Sequence, residues 1–526
     1  MPRFRTAAAA TLLVVPMVAG GFLLQEQPAH ANGVLFDQVM SLVRNQYVDS
    51  MPTTAAYEKA AKGLVHELND PYSELLSPKE SEDFSRATGG RYGGTGMSIG
   101  PDSAGAIVVD RVFPNSPAED AGVREGDHVL SVGTMITAGQ PLNKVSEALR
   151  GEPGSSVAVT YGRPGVPEPI KINFKRRVVK VPAVAYSGIL GDHIGYIPLQ
   201  TFNENAADEV QAAIEQLAKQ GAKGLVLDMR DNGGGIVEQA LETSSLFLRE
   251  GQEIASVRSR NQPNEVLRSS GRHLSDSIPL VVLVDGGSAS ATEIVAGALQ
   301  DHDRALVLGT NSFGKGLVQS VYQLQGNYHL KITTGKWYTP SGRSIHRERK
   351  LLPSGEFVEV HPDSLKKGVT RPMFKSDKGR VVYGGGGIRP DVLVPDDTLL
   401  TTERDFLVAI APKRQAINTV MQDYALELKP TVARDFTVPM AWTTELMRRF
   451  AAADIKIDPK FDATARTLLT HDLAHRVARL AFGDAAAKAR SVSDDHQLLR
   501  AIDMLSHSTT QAQLLAAAGS GPPSGK

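Results

Sequence analysis

Cysteine is absent from the 526-residue chain. Disulfide frameworks and thiolate metal sites are therefore excluded, and no redox compartment is read from cysteine pairing. An excess of one charge is also missing: the formal net charge is −1, which gives no electrostatic argument for nucleic acid or an acidic lipid surface. Beyond the first residues no stretch is long and apolar enough to span a bilayer. What remains is a chain long enough for three or four domains with ample core, whose partners have to be argued from its sites.

The long apolar stretch is at the start. Arg3 and Arg5 precede a small, apolar run from Thr6 to Leu24, and Ala29, His30 and Ala31 offer a small-residue cleavage site before Asn32. Residues 1–31 are expected to be a signal peptide or a retained N-terminal anchor, and the protein to be exported to the periplasm or another extracytoplasmic space. Residues 34–90 read as helical, with apolar stripes at Leu35, Val39, Leu42 and Val43 and at Ala60, Leu64, Val65 and Leu68, most simply read as core.

Residues 177–398 read as an α/β core. Apolar strands at Ile194–Leu199, Gly224–Leu227 and Leu280–Val284 alternate with helical stretches such as that through Ala206, Val210, Ile214 and Leu217, which argues for crossovers and a largely parallel sheet. After Val284 the chain breaks at Gly286 and Gly287, passes through Ser288, Ala289 and Ser290, and continues with Ala291, Ile294, Val295, Ala298 and Leu299 at helical spacing. A serine hydroxyl thus stands at a helix N-terminus on the C-terminal edge of a parallel sheet, where such sheets place ligands. Lys315, between Gly314 and Gly316 and flanked by Phe313 and Leu317, is the candidate base, its amine expected to be partly desolvated and its pKa lowered. His302, the other acceptor at hand, falls in the polar turn from Gln300 to Arg304 and is expected to be a solvated helix end. Gly233, Gly234 and Gly235 follow the strand that ends at Asp228, and their N–H groups suit a developing oxyanion; as a tight turn before a helix they would also make sense. Asp228 and Arg230 also read as a structural ion pair.

The run from Gly287 to Glu293, the lysine of Phe313–Gly316, and Gln319 four residues beyond it resemble the carboxyl-terminal processing peptidases, also called tail-specific proteases, over about residues 34–395. The resemblance implies Ser290 as nucleophile, Lys315 as general base and Gln319 as the residue that orients the lysine, with oxyanion donors at Gly234 and Ala291. Thr292 stands where the family usually has serine, a change not expected to disturb the chemistry. The stretches 338–345 and 384–391 also resemble the family. The first is expected to line the cleft or support the sheet, the second to form a tight turn.

Residues 91–176, with a glycine-rich loop from Tyr92 to Ile99 and short β-like runs, resemble a PDZ domain. That implies binding of a peptide carboxylate by Gly96, Met97, Ser98 and Ile99, and pairing of the peptide with an exposed strand edge. Arg150 matches an arginine that in some relatives couples peptide binding to the active state, although an arginine at a helix C-terminus has a plain electrostatic reading. Three motif matches are set aside. Gly96–Gly100 fits G-x-S-x-G, but a proline and an alternating run follow where a nucleophile elbow needs a helix. Gly309–Gly316 lacks the final serine or threonine of a P-loop and runs into a strand-like pattern. His471 and His475 lie one helical turn apart with no third ligand evident.

Residues 399–516 read as a helical region and 517–526 as a disordered tail. The whole is a multidomain α/β chain: N-terminal helices, a PDZ-like β domain, an α/β serine peptidase core and C-terminal helices. The expected activity is endopeptidase cleavage of exported proteins recognised by accessible C-terminal tails, through an acyl-enzyme. No cofactor, metal or nucleic acid is expected; homodimer or oligomer formation and an adaptor are open. A peptide-binding scaffold with a silent core is the alternative.

Overall fold

The structure, a computed structural model, describes residues 27–101, 105–163, 165–272, 274, 278–351, 357–359 and 371–519. Most of the expected signal segment, up to residue 26, and the tail from residue 520 lie outside the described residues. Two compact units are formed.

The smaller unit comprises the residues up to Pro78 and Gln319–Thr333. It contains helices α1 (Gln27–Gln46) and α2 (Thr53–His66) and strand β1 (Glu74–Leu76). β1 pairs antiparallel with residues 329–331, Glu74 opposite Lys331 and Leu76 opposite His329. Thr333 N–H donates to Ser73 Oγ at 3.0 Å, and Tyr328 Oη to Glu58 Oε2 at 3.0 Å. The expected stripe on α1 exists but is not core within one chain: Leu35, Val39 and Leu42 are 60, 50 and 62 % exposed.

The larger unit, Lys79–Val318 with Thr334–Lys526, holds the rest. After α3 (Pro78–Gly89) come β2 (Arg91–Gly94), β3 (Met97–Pro101), β4 (Ile107–Val112), α4 (Pro117–Asp120), β5 (His128–Val132), β6 (Met135–Ile136), α5 (Leu142–Leu149), β7 (Ser156–Gly162), β8 (Ile170–Lys175) and β9 (Arg177–Lys180). The sheet order is β3-β4-β5-β7-β8, so β3 is an edge strand, while β9 returns to pair with β2. Alternation along β7 sends Val157, Val159 and Tyr161 inward to meet Val109, Val145 and Phe174.

The central sheet has the order β10 (Gly188–Leu190), β11 (Ile194–Pro198), β12 (Gly224–Asp228), β15 (Leu280–Val284), β16 (Leu306–Gly309), β23 (Val392–Leu393), where β13 (Glu253–Ser259) and β14 (Glu265–Arg268) form a hairpin outside it. Every pairing is parallel except β10 with β11. Helices α6 (Ala206–Lys219), α7 (Val237–Ser245) and α8 (Ala291–Asp301) cover one face over Leu225, Leu227, Val282 and Val307. Strand β17 (Leu317–Gln323) follows Lys315, and the end of β18 (His329–Tyr338) pairs with β13 through Tyr338 and Ser256. Two small hairpins, β19 (Arg349–Leu351) with β20 (Phe357–Glu359) and β21 (Met373–Lys375) with β22 (Val381–Tyr383), precede β23.

The C-terminal helices divide into two groups. α9 (Thr401–Ile410), α10 (Arg414–Leu428), α11 (Met440–Ala452) and α12 (Asp462–Phe482) bury their own core around Phe406, Met421, Leu446, Phe450 and Leu473. α13 (Asp484–Arg490) joins them to α14 (His496–Ser506) and α15 (Gln511–Gly519), whose Leu498, Ile502, Leu505 and Leu514 pack on Val226, Val281, Leu283 and Leu308. α14 and α15 therefore form the second layer of the central sheet.

Candidate active site

β15 is apolar and fully buried because both its faces are covered, and it delivers the chain to the C-terminal edge of the sheet. Ser288 Oγ donates to Met229 O at 2.8 Å, which ties this turn to the one after β12. Ser290 follows with φ 57° and ψ −116° and caps α8. That backbone region is costly for a residue with a Cβ, and it stays only where neighbours enforce it. The half-buried serine stands at the N-terminus of α8, next to Ala291, the helix's first residue.

Glu293, fully buried in the first turn of α8, organises the surroundings. Its Oε2 accepts from Ser290 N–H at 2.9 Å and Lys315 N–H at 2.8 Å; its Oε1 accepts from Gly314 N–H at 2.7 Å and Ser312 Oγ at 2.5 Å. One oxygen thus joins the backbones of serine and lysine, whose amide nitrogens lie within about 6 Å of each other. Burial pushes the Glu293 pKa up, against the pull of the Ser312 hydroxyl and the three N–H groups. Sequence reasoning passed over Glu293. The signal was the Ser-x-x-Glu spacing of a capping box from Ser290, in which the acid reaches back to the cap residue's N–H.

The loop before Lys315 is fixed from several sides. Phe313 N–H donates to Ser288 O at 2.9 Å, Trp337 Nε1 donates to Lys315 O at 3.0 Å, and the Arg349 guanidinium lies 3.8 Å from the Phe313 ring centre. Ile388 N–H donates to Ser312 Oγ at 2.6 Å, so the glycine turn at 384–387 supports this loop.

The turn after β12 closes the other side. Ala289 N–H and Thr292 Oγ1 both donate to Asn232 O, at 3.0 and 2.8 Å. Position 292 therefore uses a hydroxyl, which threonine supplies as well as serine. Gly234, at φ 96°, is pressed against the serine: a Cβ there would lie 2.9 Å from Ser290 Cβ and from Ala291 N. Its N–H donates to Asn232 Oδ1 at 2.9 Å. Asp228 and Arg230 do form an ion pair, at 2.6 Å, and Arg230 is shared with Asp495.

Gln319 lies in the smaller unit, where its Nε2 donates to Thr333 Oγ1 at 3.3 Å. His302 caps the far end of α8, about 18 Å from Ser290 along the helix, and is not solvated as expected. Its side chain is 8 % exposed, with Nε2 against Glu253 O at 2.6 Å and Nδ1 against Asp377 at 2.7 Å. Nearby, buried Arg343 donates to Gln300 and Asp301, both at 2.7 Å, so the 338–345 stretch braces the end of α8.

In the PDZ-like sheet, Gly96 is buried at φ 88° and its carbonyl accepts from Phe113 N–H at 3.0 Å. The Met97 side chain is core, in contact with the Tyr161 hydroxyl at 3.4 Å, while Ser98 and Ile99 are half-buried on edge strand β3. Ser98 sits inside a strand, as its rejection as an elbow nucleophile requires. Arg150 ends α5 and lies 5.5 Å from the ring centre of Tyr92, at the start of the glycine-rich loop. Burial pushes the Tyr92 hydroxyl up to about 12. His471 pairs with Asp494 at 2.9 Å, and no group of three metal-ligating side chains occurs among the described residues.

Residues 193–363 match peptidase family S41, and residues 108–163 match the PDZ domain. A carboxy-terminal-processing protease of Bartonella bacilliformis is 39 % identical over 360 residues, covering 67 % of this chain and 79 % of its own. The carboxy-terminal processing protease CtpB of Bacillus subtilis is 33 % identical over 347 residues, covering 65 and 72 %. A solved photosystem II D1 C-terminal processing protease is 30 % identical, covers 59 and 83 %, and has a TM-score of 0.36. A silent scaffold is thereby set aside in favour of a serine-type peptidase that binds peptide or protein substrates, and the chain belongs to the carboxy-terminal processing proteases, family S41 peptidases with a PDZ domain.

Proposed function

We propose that Ser290 is the nucleophile and Lys315 its general base. The observation that carries this reading is the Glu293 carboxylate, which accepts from the backbone N–H of both residues. A protein tail docks by its carboxylate at the Gly96–Ile99 loop and pairs with β3, and the chain upstream of the tail enters the cleft at the sheet edge. Ser290 Oγ attacks a peptide carbonyl as its proton passes to Lys315, and the oxyanion is met by Ala291 N–H and the glycine turn. Gly234 N–H joins once its bond to Asn232 is shared or exchanged. The oxyanion collapses as the peptide C–N bond breaks, and Lys315 hands its proton to the leaving amine. The acyl-enzyme is then hydrolysed by a water that the neutral Lys315 deprotonates, freeing the Ser290 hydroxyl. Gln319 orients the lysine in the active state, and Arg150, over the Tyr92 ring, relays tail binding from the loop to α5.

The protein acts outside the cytoplasm, exported by the N-terminal segment; none of the described helices is long and apolar enough to cross a membrane. Its apolar α1 face suits a second copy of the chain. The test is cleavage of an unfolded protein with an apolar C-terminus, followed by mass spectrometry, for the wild type and for Ser290→Ala and Lys315→Ala. Binding without cleavage by both variants supports the assignment; equal cleavage by either variant removes it.

A further inference from the structure

Arg230 lies in the turn that faces Ser290, two residues before Asn232. Its side chain is 18 % exposed and is gripped from two sides. Nε and Nη2 donate to Asp228 at 2.9 and 2.6 Å. Nη1 and Nη2 donate to the two carboxylate oxygens of Asp495 at 2.9 and 2.8 Å, and Nη1 also reaches Gln497 Oε1 at 3.1 Å. Such two-point pairing of a guanidinium with a planar carboxylate fixes orientation as well as distance.

Asp495 is itself immobilised. It caps α14 by accepting Leu498 N–H at 2.9 Å, and Lys488 Nζ lies 2.8 Å from its Oδ2. α14 is packed on the central sheet through Leu498, Ile502 and Leu505, while Gln497 Nε2 donates to Val394 O at 2.9 Å. A rigid line therefore runs from the second layer of the sheet through Asp495 and Arg230 into the turn of Asn232 and Gly234. Met229 O and Asn232 O, on either side of Arg230 in the chain, bond that turn to the Ser290 loop, together with Asp231 N–H, which donates to Asp285 Oδ1 at 2.9 Å.

We propose that Asp495 is a positioning residue for peptide-bond hydrolysis: by clamping Arg230 it sets the glycine turn against Ser290, which makes the segment 484–519 part of the catalytic apparatus. This rests on the assignment of Ser290 and the glycine turn given above. Removing the Asp495 carboxylate leaves Arg230 held by Asp228 at the end of β12 and by the single longer bond to Gln497 Oε1 at 3.1 Å, so the two-point grip from the sheet's second layer is lost.

The test compares the wild type with Asp495→Asn and Asp495→Glu in the full chain. Steady-state cleavage is measured well below each Tm, together with amide hydrogen exchange at residues 229–236. Asp495→Asn is expected to lower kcat about ten- to a hundredfold, with KM within about twofold, and to speed exchange at 229–236 while 194–198 stays as in the wild type. Asp495→Glu is expected to recover part of kcat. A kcat within about twofold of wild type with unchanged exchange at the turn overturns the proposal. So does a uniform rise in exchange with a lower Tm, the mark of a residue that only stabilises the fold. Should Asp495→Asn fail to fold, Gln497→Ala is read by the same two measures. If the wild type cuts nothing, exchange still decides the clamp, and the failure lies with the Ser290 assignment.

Discussion

At Ser290 the backbone adopts φ 57° and ψ −116°, a geometry that costs about 1–3 kcal/mol. The Glu293 carboxylate holds it there through the serine's own N–H while also holding Gly314, Lys315 and Ser312. Glu293→Ala leaves four donors without this acceptor and is expected to destabilise by about 3–5 kcal/mol, read by urea unfolding. Glu293→Gln, which directs an amide N–H₂ toward those donors, is expected to cut kcat about a hundredfold or more where it folds; activity within about twofold would remove Glu293 from the site. That Ser290, Lys315 and Gly234 come close together was legible because each sits in a small-residue or glycine turn just beyond a strand of one parallel sheet. Glu293 was not, because an acid in a helix's first turn is ordinarily surface electrostatics.

Among the elements, β11, β12 and β15 were readable as apolar runs, since a parallel strand covered on both faces has no polar side to show. The role of α14 was hidden because helical periodicity states that one face is buried and not what covers it. The same helix start predicts a pH dependence. Burial alone would raise the Asp495 pKa, but the Arg230 guanidinium and Lys488 hold it well below the usual carboxylate range. A carboxyl depressed on folding contributes stability that is complete above its unfolded pKa of about 3.9 and is lost as pH falls toward the folded value. The urea midpoint of the wild type is therefore expected to drop between pH 5 and pH 3 more steeply than that of Asp495→Asn. Parallel curves for the two would contradict the pairing.

For the whole molecule, the PDZ-like domain is tied to the C-terminal segment by Arg111 with Asp484 at 2.9 Å and Glu125 with Arg479 at 2.6 Å. These pairs are about a third exposed or less, so salt weakens them. The exposed α1 face, with Val34, Leu35, Phe36, Val39 and Leu42 each close to half exposed or more, predicts self-association. Light scattering after gel filtration is expected to give a dimer or larger for the wild type and a monomer for Leu35→Glu with Leu42→Glu; a monomeric wild type would contradict it. Composition and motif spacing made the domain order legible, but not that the chain's last helices complete its central sheet, because that contact joins residues far apart in sequence. The proposed cleavage of protein tails by Ser290 and Lys315 is tested first by incubating a tail-bearing substrate with the wild type and with Ser290→Ala side by side and reading the products by mass spectrometry. Cleavage by the wild type and binding without cleavage by the variant are expected; equal cleavage by both would remove Ser290 as the nucleophile.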